Sequence, residues 1–160
     1  MVILAGLAHA EEPAVVGPAL PDPLGVEAAR AERAHLVRLG VFAGASAVGG
    51  GVVAAAGWED PRLQSAGLMT VGWAGVNALI VGLAWRGTAT PPTAAQRART
   101  REIFQLNLGL DFGYVGAGLA MGVLGHLDDR RAVEGAGWAI AAQGVGLAAL
   151  DAVALAQIPR

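Results

Sequence analysis

Residues 103–127 read IFQLNLGLDFGYVGAGLAMGVLGHL, 25 residues with one charged side chain, Asp111. A helix needs roughly 20 apolar residues to cross a bilayer, and this run has that length and character. Three more runs match it. Residues 39–57 and 63–85 carry no charge, and residues 135–158 carry only Asp151. The chain has 160 residues and 24 charged side chains, of which 22 lie outside the four runs. All eight prolines lie outside them too. Lipid accepts only helices or closed barrels, because every backbone polar group must be satisfied internally. None of the runs alternates as a barrel strand does. The pattern therefore predicts an all-α fold, a four-helix transmembrane bundle packed antiparallel, up and down. The helices are expected at about 35–57, 62–85, 101–126 and 132–158. A soluble bundle is disfavoured, because four helices apolar all round cannot all bury one another in so small a chain. Trp58, Trp85 and Trp138 fall at the ends of runs, where an interfacial belt is expected, and Trp73 falls mid-span.

Composition removes several chemistries. There is no cysteine, hence no disulfide, thiolate metal site or cysteine nucleophile. All eleven basic residues are arginine, which excludes a Schiff-base lysine and a phosphate-loop lysine. A net charge of −2 gives no electrostatic case for nucleic acid.

The segments outside the runs divide the chain further. Residues 1–10 are apolar and end in Ala8-His9-Ala10, a small-residue pattern like a signal-peptidase site. No positive region precedes them, so they read as a truncated signal peptide or as a chance likeness. Residues 11–34 read as a proline-rich, extended tail followed by an interfacial, helix-compatible segment. Residues 35–160 form the membrane domain. Thr93 is placed to cap a short amphipathic turn over 94–101. Orientation has two conflicting signals. A cleaved signal puts the mature N-terminus outside. Arginine counting puts both termini in the cytoplasm, with eight arginines on their side against three on the other.

Small and polar residues inside the runs carry the remaining information. Twenty of the 24 glycines lie there. Small residues let helix backbones approach closely in lipid, and Gly40-xxx-Gly44, Gly109-xxx-Gly113 and Gly118-xxx-Gly122 have the spacing for it. Intramolecular packing is the plainer use of these pairs, and a homo-oligomer face is the sharper one. The intramembrane polar set is Trp73 and Asn77 in helix 2, Asn107, Asp111 and Tyr114 in helix 3, and Gln143 and Asp151 in helix 4. Asn107, Asp111, Tyr114 and Gly118 share one helix face. At about 1.5 Å per residue, Asn77 and Asp111 lie roughly 4–5 Å from mid-bilayer, Asp151 roughly 7–8 Å and Asn107 roughly 10 Å. All four fall toward the side of the 86–101 loop. An ionised carboxylate at this depth is expensive, and no basic residue lies in any run to neutralise it. At least one of Asp111 and Asp151 is therefore expected to be protonated at neutral pH, hydrogen-bonded to Asn77, Asn107 or the other carboxyl.

Met69-xxx-Trp73-xxx-Asn77, Leu106-Asn107-xx-Leu110-Asp111-xx-Tyr114-xxx-Gly118 and Gln143-Gly144-xx-Leu147-xxx-Asp151 resemble an uncharacterised family of small bacterial four-helix membrane proteins. The resemblance spans roughly residues 36–155. It implies a multi-pass protein of the bacterial inner membrane and highlights Trp73, Asn77, Asn107, Asp111, Tyr114, Gln143 and Asp151, without supplying an activity. The surroundings of the two aspartates, Leu-Asp-Phe-Gly and Leu-Asp-Ala-Val, do not match the Tyr-Asp and Gly-x-Gly-Asp patterns of intramembrane aspartyl proteases. His35 and His126 open and close helices at opposite ends, which does not suit a two-histidine haem. No enzyme activity, cofactor or metal is expected. The expected partners are the lipid bilayer and a second copy or another membrane protein. The polar cluster is expected to join helices 2–4 by hydrogen bonds in an assembly or interaction protein; the alternative is a proton- or cation-coupled site in a small transporter or channel that uses Asp111 and Asp151.

Overall fold

The computed structural model describes residues 22–89 and 92–159. Residues 1–21, which hold the signal-like segment and most of the tail, lie outside the described residues. Among the described residues four α-helices are formed: α1 (Pro23–Ala56), α2 (Pro61–Trp85), α3 (Ala94–Leu127) and α4 (Arg131–Gln157). A 3₁₀ turn, Arg86–Ala89, follows α2. No strand occurs among the described residues.

The helix starts follow from capping chemistry. Asp22 and Asp60 each accept a backbone N–H two residues on, at 3.1 and 2.9 Å, and each precedes a proline at the first helical position. Thr93 forms a reciprocal capping box with Gln96: its hydroxyl accepts from the Gln96 N–H at 3.3 Å, and the Gln96 side chain accepts from the Thr93 N–H at 2.7 Å. The helix that Thr93 caps does not stop at residue 101 but runs unbroken to Leu127. Residues 94–108 contain neither proline nor glycine, so nothing interrupts the ladder. Similarly, the interfacial segment before residue 35 is the first third of α1. Asp129, with φ of 52°, makes the tight turn from α3 to α4.

The helices pair as α1 with α2 and α3 with α4. Helix α4 also packs on α2 and, less, on α1, and it is the most buried of the four. The backbones of α2 and α3 never come within 8 Å of each other, and α1 barely touches α3. The link from α2 to α3 therefore crosses the bundle diagonally, and one edge of the bundle is loosely closed.

The outer surface is apolar. Val41, Val48, Leu79, Phe112 and Val145 are all exposed. Within the most apolar window of each helix, the buried share is 22%, 17%, 22% and 44% in chain order. Most of each span thus has no protein neighbour, and lipid is the solvent that suits such a surface.

Candidate functional site

The helices meet tightly at one end. A Cβ added at Gly118 would lie 2.8 Å from the Gly137 carbonyl oxygen and 2.9 Å from the Ala141 Cα. One added at Gly137 would lie 2.7 Å from the Gly122 Cα. The Trp138 indole lies against Gly122. Gly50 and Gly67 make the same close crossing between α1 and α2, and Gly135 seats α4 on the Arg62 backbone of α2. Small residues are required here because the atoms opposite are backbone, which cannot swing aside. Of the glycine pairs singled out by spacing, Gly118 and Gly122 lie in this seam. Gly40 makes an ordinary contact with Val81, at 3.8 Å. The expectation of packing within the bundle does not hold for Gly44, Gly109 and Gly113. No atom lies within 4 Å of a Cβ placed on any of them, because their helix faces point outward. The same end is tied by Glu134, a buried carboxylate 3.5 Å from Arg62 and 3.3 Å from His126.

The other end is splayed around a half-open cavity of about 490 Å³. Each helix contributes from its turns on that side: Glu32, His35, Leu36 and Leu39 from α1, Ile80, Leu83 and Ala84 from α2, Thr100, Ile103, Phe104, Asn107 and Asp111 from α3, and Leu147 and Asp151 from α4. Glu32, Arg86 and Thr100 are the lining residues nearest that end of the bundle, and that level is taken as the cavity's mouth. The innermost level is set by Asp111 and Leu147. One turn deeper, the Trp73 and Tyr114 rings meet edge to face across α2 and α3, with centroids 5.0 Å apart. At a similar depth Gln143 donates to the Ser46 hydroxyl at 3.1 Å, joining α4 to α1. These contacts form the floor.

The polar set therefore divides. Trp73, Asn77, Tyr114 and Gln143 do not line the cavity. Asn77 is completely buried, and its amide makes no hydrogen bond. Asn107, Asp111 and Asp151 do line it. The Asp111 and Asp151 carboxyls are close enough to share a hydrogen bond. Such a bond between two carboxyl groups needs a proton on one of them. Asn77, one of the partners expected for them, makes no side-chain hydrogen bond. Asn107 Oδ1 and Asp111 Oδ2 are buried and accept no hydrogen bond.

Sequence reasoning missed His35. Its Nε2 lies 3.4 Å from Asp151 Oδ1, and its ring meets Phe104 edge to face at 4.8 Å. The sequence reading takes it only as the polar opening of helix 1. Its spacing to Leu39, Ala43, Ser46 and Gly50 was the available signal, since all five lie on one buried face of α1. Histidine, aspartate and aspartate thus form a chain from near the mouth to the inner end of the cavity.

The rim is held by arginines. Arg97, itself buried, pairs with Asp22, the cap of α1. That pairing holds the Asp22 carboxyl below its ordinary pKa. Arg101 donates to the Ile158 carbonyl at 2.6 Å and so satisfies the end of α4. Arg38 donates to Gln157 at 2.8 Å. Arg86 and Arg99 are exposed. Among the described residues, no group of three or more His, Asp or Glu is arranged to hold a metal ion.

Residues 38–152 match a family of unknown function, DUF6992. The chain belongs to that family. The match runs from Arg38 in α1 to the turn of α4 that carries Asp151, so it takes in the floor and most of the cavity. No curated protein and no solved structure matches the chain.

Proposed function

We propose that this member of DUF6992 is a small, non-enzymatic carrier of the bacterial inner membrane, in which Asp111 and Asp151 take up a proton or a cation. One observation supports this above the others: the half-open cavity lies at one end of the bundle and has the carboxyl pair in its wall. Carboxyl groups that served only to join helices need no cavity beside them. These line a space large enough for a ligand, since small-molecule sites typically occupy about 300–1,000 Å³. His35 lies between the mouth and the pair and can relay a proton to Asp151. With the far end closed by glycine seams, the described conformation is open to one side, as one state of a carrier is.

An assembly role is the second reading, and the Ser46–Gln143 bond favours it, because that bond joins helices away from the cavity. The two readings separate in liposomes holding a pH-sensitive dye. A carrier gives wild-type proton flux under an imposed gradient. Asp111→Asn and Asp151→Asn abolish that flux while keeping wild-type thermal stability. If the wild type shows no flux and both substitutions lower stability, the assembly reading replaces the carrier.

A further inference from the structure

The chemistry of the cavity wall specifies what it takes. Asn107 Oδ1 and Asp111 Oδ2 are hydrogen-bond acceptors with no donor, on residues 5% and 2% exposed that line the cavity. A buried acceptor left without a donor is unfavourable, so a ligand that donates is favoured at this depth. A second observation concerns charge. The lining holds three carboxyl side chains, those of Glu32, Asp111 and Asp151, and one arginine, Arg86, which is exposed at the mouth. The inner part thus offers acceptors and negative charge and no fixed cation. Apart from these groups the wall is apolar, with Leu36, Leu39, Ile80, Phe104 and Leu147 among its members.

Resting on the carrier reading above, we propose that the cavity binds an apolar molecule bearing one primary or secondary ammonium group, which displaces the proton shared by Asp111 and Asp151. The ammonium N–H groups donate to Asp111 Oδ2 and Asn107 Oδ1, and its apolar part lies against Phe104 and the leucines. The exchange balances in charge: one cation enters and one proton leaves. A bare metal cation suits the wall poorly. Hard cations need six or more oxygen ligands, and the apolar wall supplies none beyond the three residues at the inner end. A quaternary ammonium carries the charge but has no N–H to donate.

Binding also depends on pH with a definite sign. The titratable groups facing the pair are His35 and, at the mouth, Glu32 from α1, while α3 and α4 supply the pair itself. Helix α2 presents none there, and Arg86 at the mouth stays charged throughout. Acid adds a proton to the pair, and a protonated pair opposes a cation. Affinity therefore falls as pH falls.

The test is calorimetric titration of the full chain in detergent with three probes: 4-phenylbutylammonium, its N-trimethyl analogue and 5-phenylpentanoate. At pH 8 the primary ammonium binds one per chain. The trimethyl analogue binds about tenfold more weakly or worse, on the scale of one lost charge-assisted hydrogen bond, and the carboxylate does not bind. Lowering the pH to 5, or making Asp111→Asn or Asp151→Asn, weakens the ammonium to the level of the trimethyl probe. Equal affinity for all three probes, or tighter binding of the carboxylate, overturns the proposal using the wild type alone, whatever the variants' stability. No ammonium binding by a wild type that still shows Asp-dependent proton flux overturns this ligand class and leaves the carrier reading standing. Absence of that flux both without and with 4-phenylbutylammonium on the opposite side of the membrane overturns the carrier reading itself.

Discussion

The two ends of the bundle are built from different residues, and the contrast explains why one is closed and the other open. At the closed end Gly50, Gly67, Gly118, Gly135 and Gly137 face neighbouring backbones and Gly122 faces the Trp138 indole, and the helices approach until no room is left for a methyl group. At the open end the inward positions are Leu36, Leu39, Ile80, Ile103 and Phe104. Side chains of that size hold helix axes apart, and α2 and α3 do not pair. Both ends carry buried carboxylates, again with different surroundings. Glu134 at the closed end has Arg62 and His126 beside it. Asp111 and Asp151 have each other and one histidine. Pairing with a guanidinium fixes a structure, whereas two carboxyls sharing a proton leave a site that can exchange it.

The largest effect that would break this contrast is steric. Gly137→Ala puts a methyl group against the Gly122 and Gly118 backbones. Overpacking of this kind costs about 1–3 kcal/mol. The same substitution at Gly113, where nothing lies within 4 Å, is neutral or gains up to about 1 kcal/mol from helix propensity. Unfolding in mixed detergent measures both. Equal losses at the two sites would mean that the closed end is not sealed by glycine.

A smaller effect sharpens the position of the floor. A double-mutant cycle on Ser46→Ala and Gln143→Leu is expected to give a coupling of about 0.6 kcal/mol, the average for hydrogen bonds between membrane helices. Those changes leave proton flux intact. Coupling between Ser46 and Asp151 of the same size would instead merge floor and cavity into one network.

The smallest effect lies at the rim. Asp22 is held below its ordinary pKa by Arg97, so the folded state favours its ionised form. That contribution is complete above the unfolded value of about 3.9 and is lost as pH falls through the lowered folded value. Thermal melts of wild type and Asp22→Asn are expected to differ slightly at pH 6 and to converge in acid. A difference that persists at pH 2 contradicts the pairing.

The four spans were legible because charge and proline are costly in lipid and are visibly absent from four runs. The shared face of Asn107, Asp111, Tyr114 and Gly118 was legible from helical spacing, and depth arithmetic placed Asp111 and Asp151 together. Spacing tells which residues share a face but not what that face meets. So Gly109 and Gly113 had the same signature as Gly118 and Gly122, yet point outward. His35 is missed because the reading puts it at the first residue of helix 1, whereas α1 begins twelve residues earlier, at Pro23. The cavity itself was beyond sequence reading, since it arises from how far α3 stands from α1 and α2.

Solvent access to the inner end of the cavity tests the account most directly. The chain has no cysteine, so single cysteines report without background. Leu147 and Ala139 lie on α4 with 3% and 7% exposure, but only Leu147 lines the cavity. In lipid nanodiscs, where both faces are reachable, a charged water-soluble maleimide is expected to label Leu147→Cys and to leave Ala139→Cys unmodified. Labelling of neither, or of both alike, would contradict an open end set against a closed one.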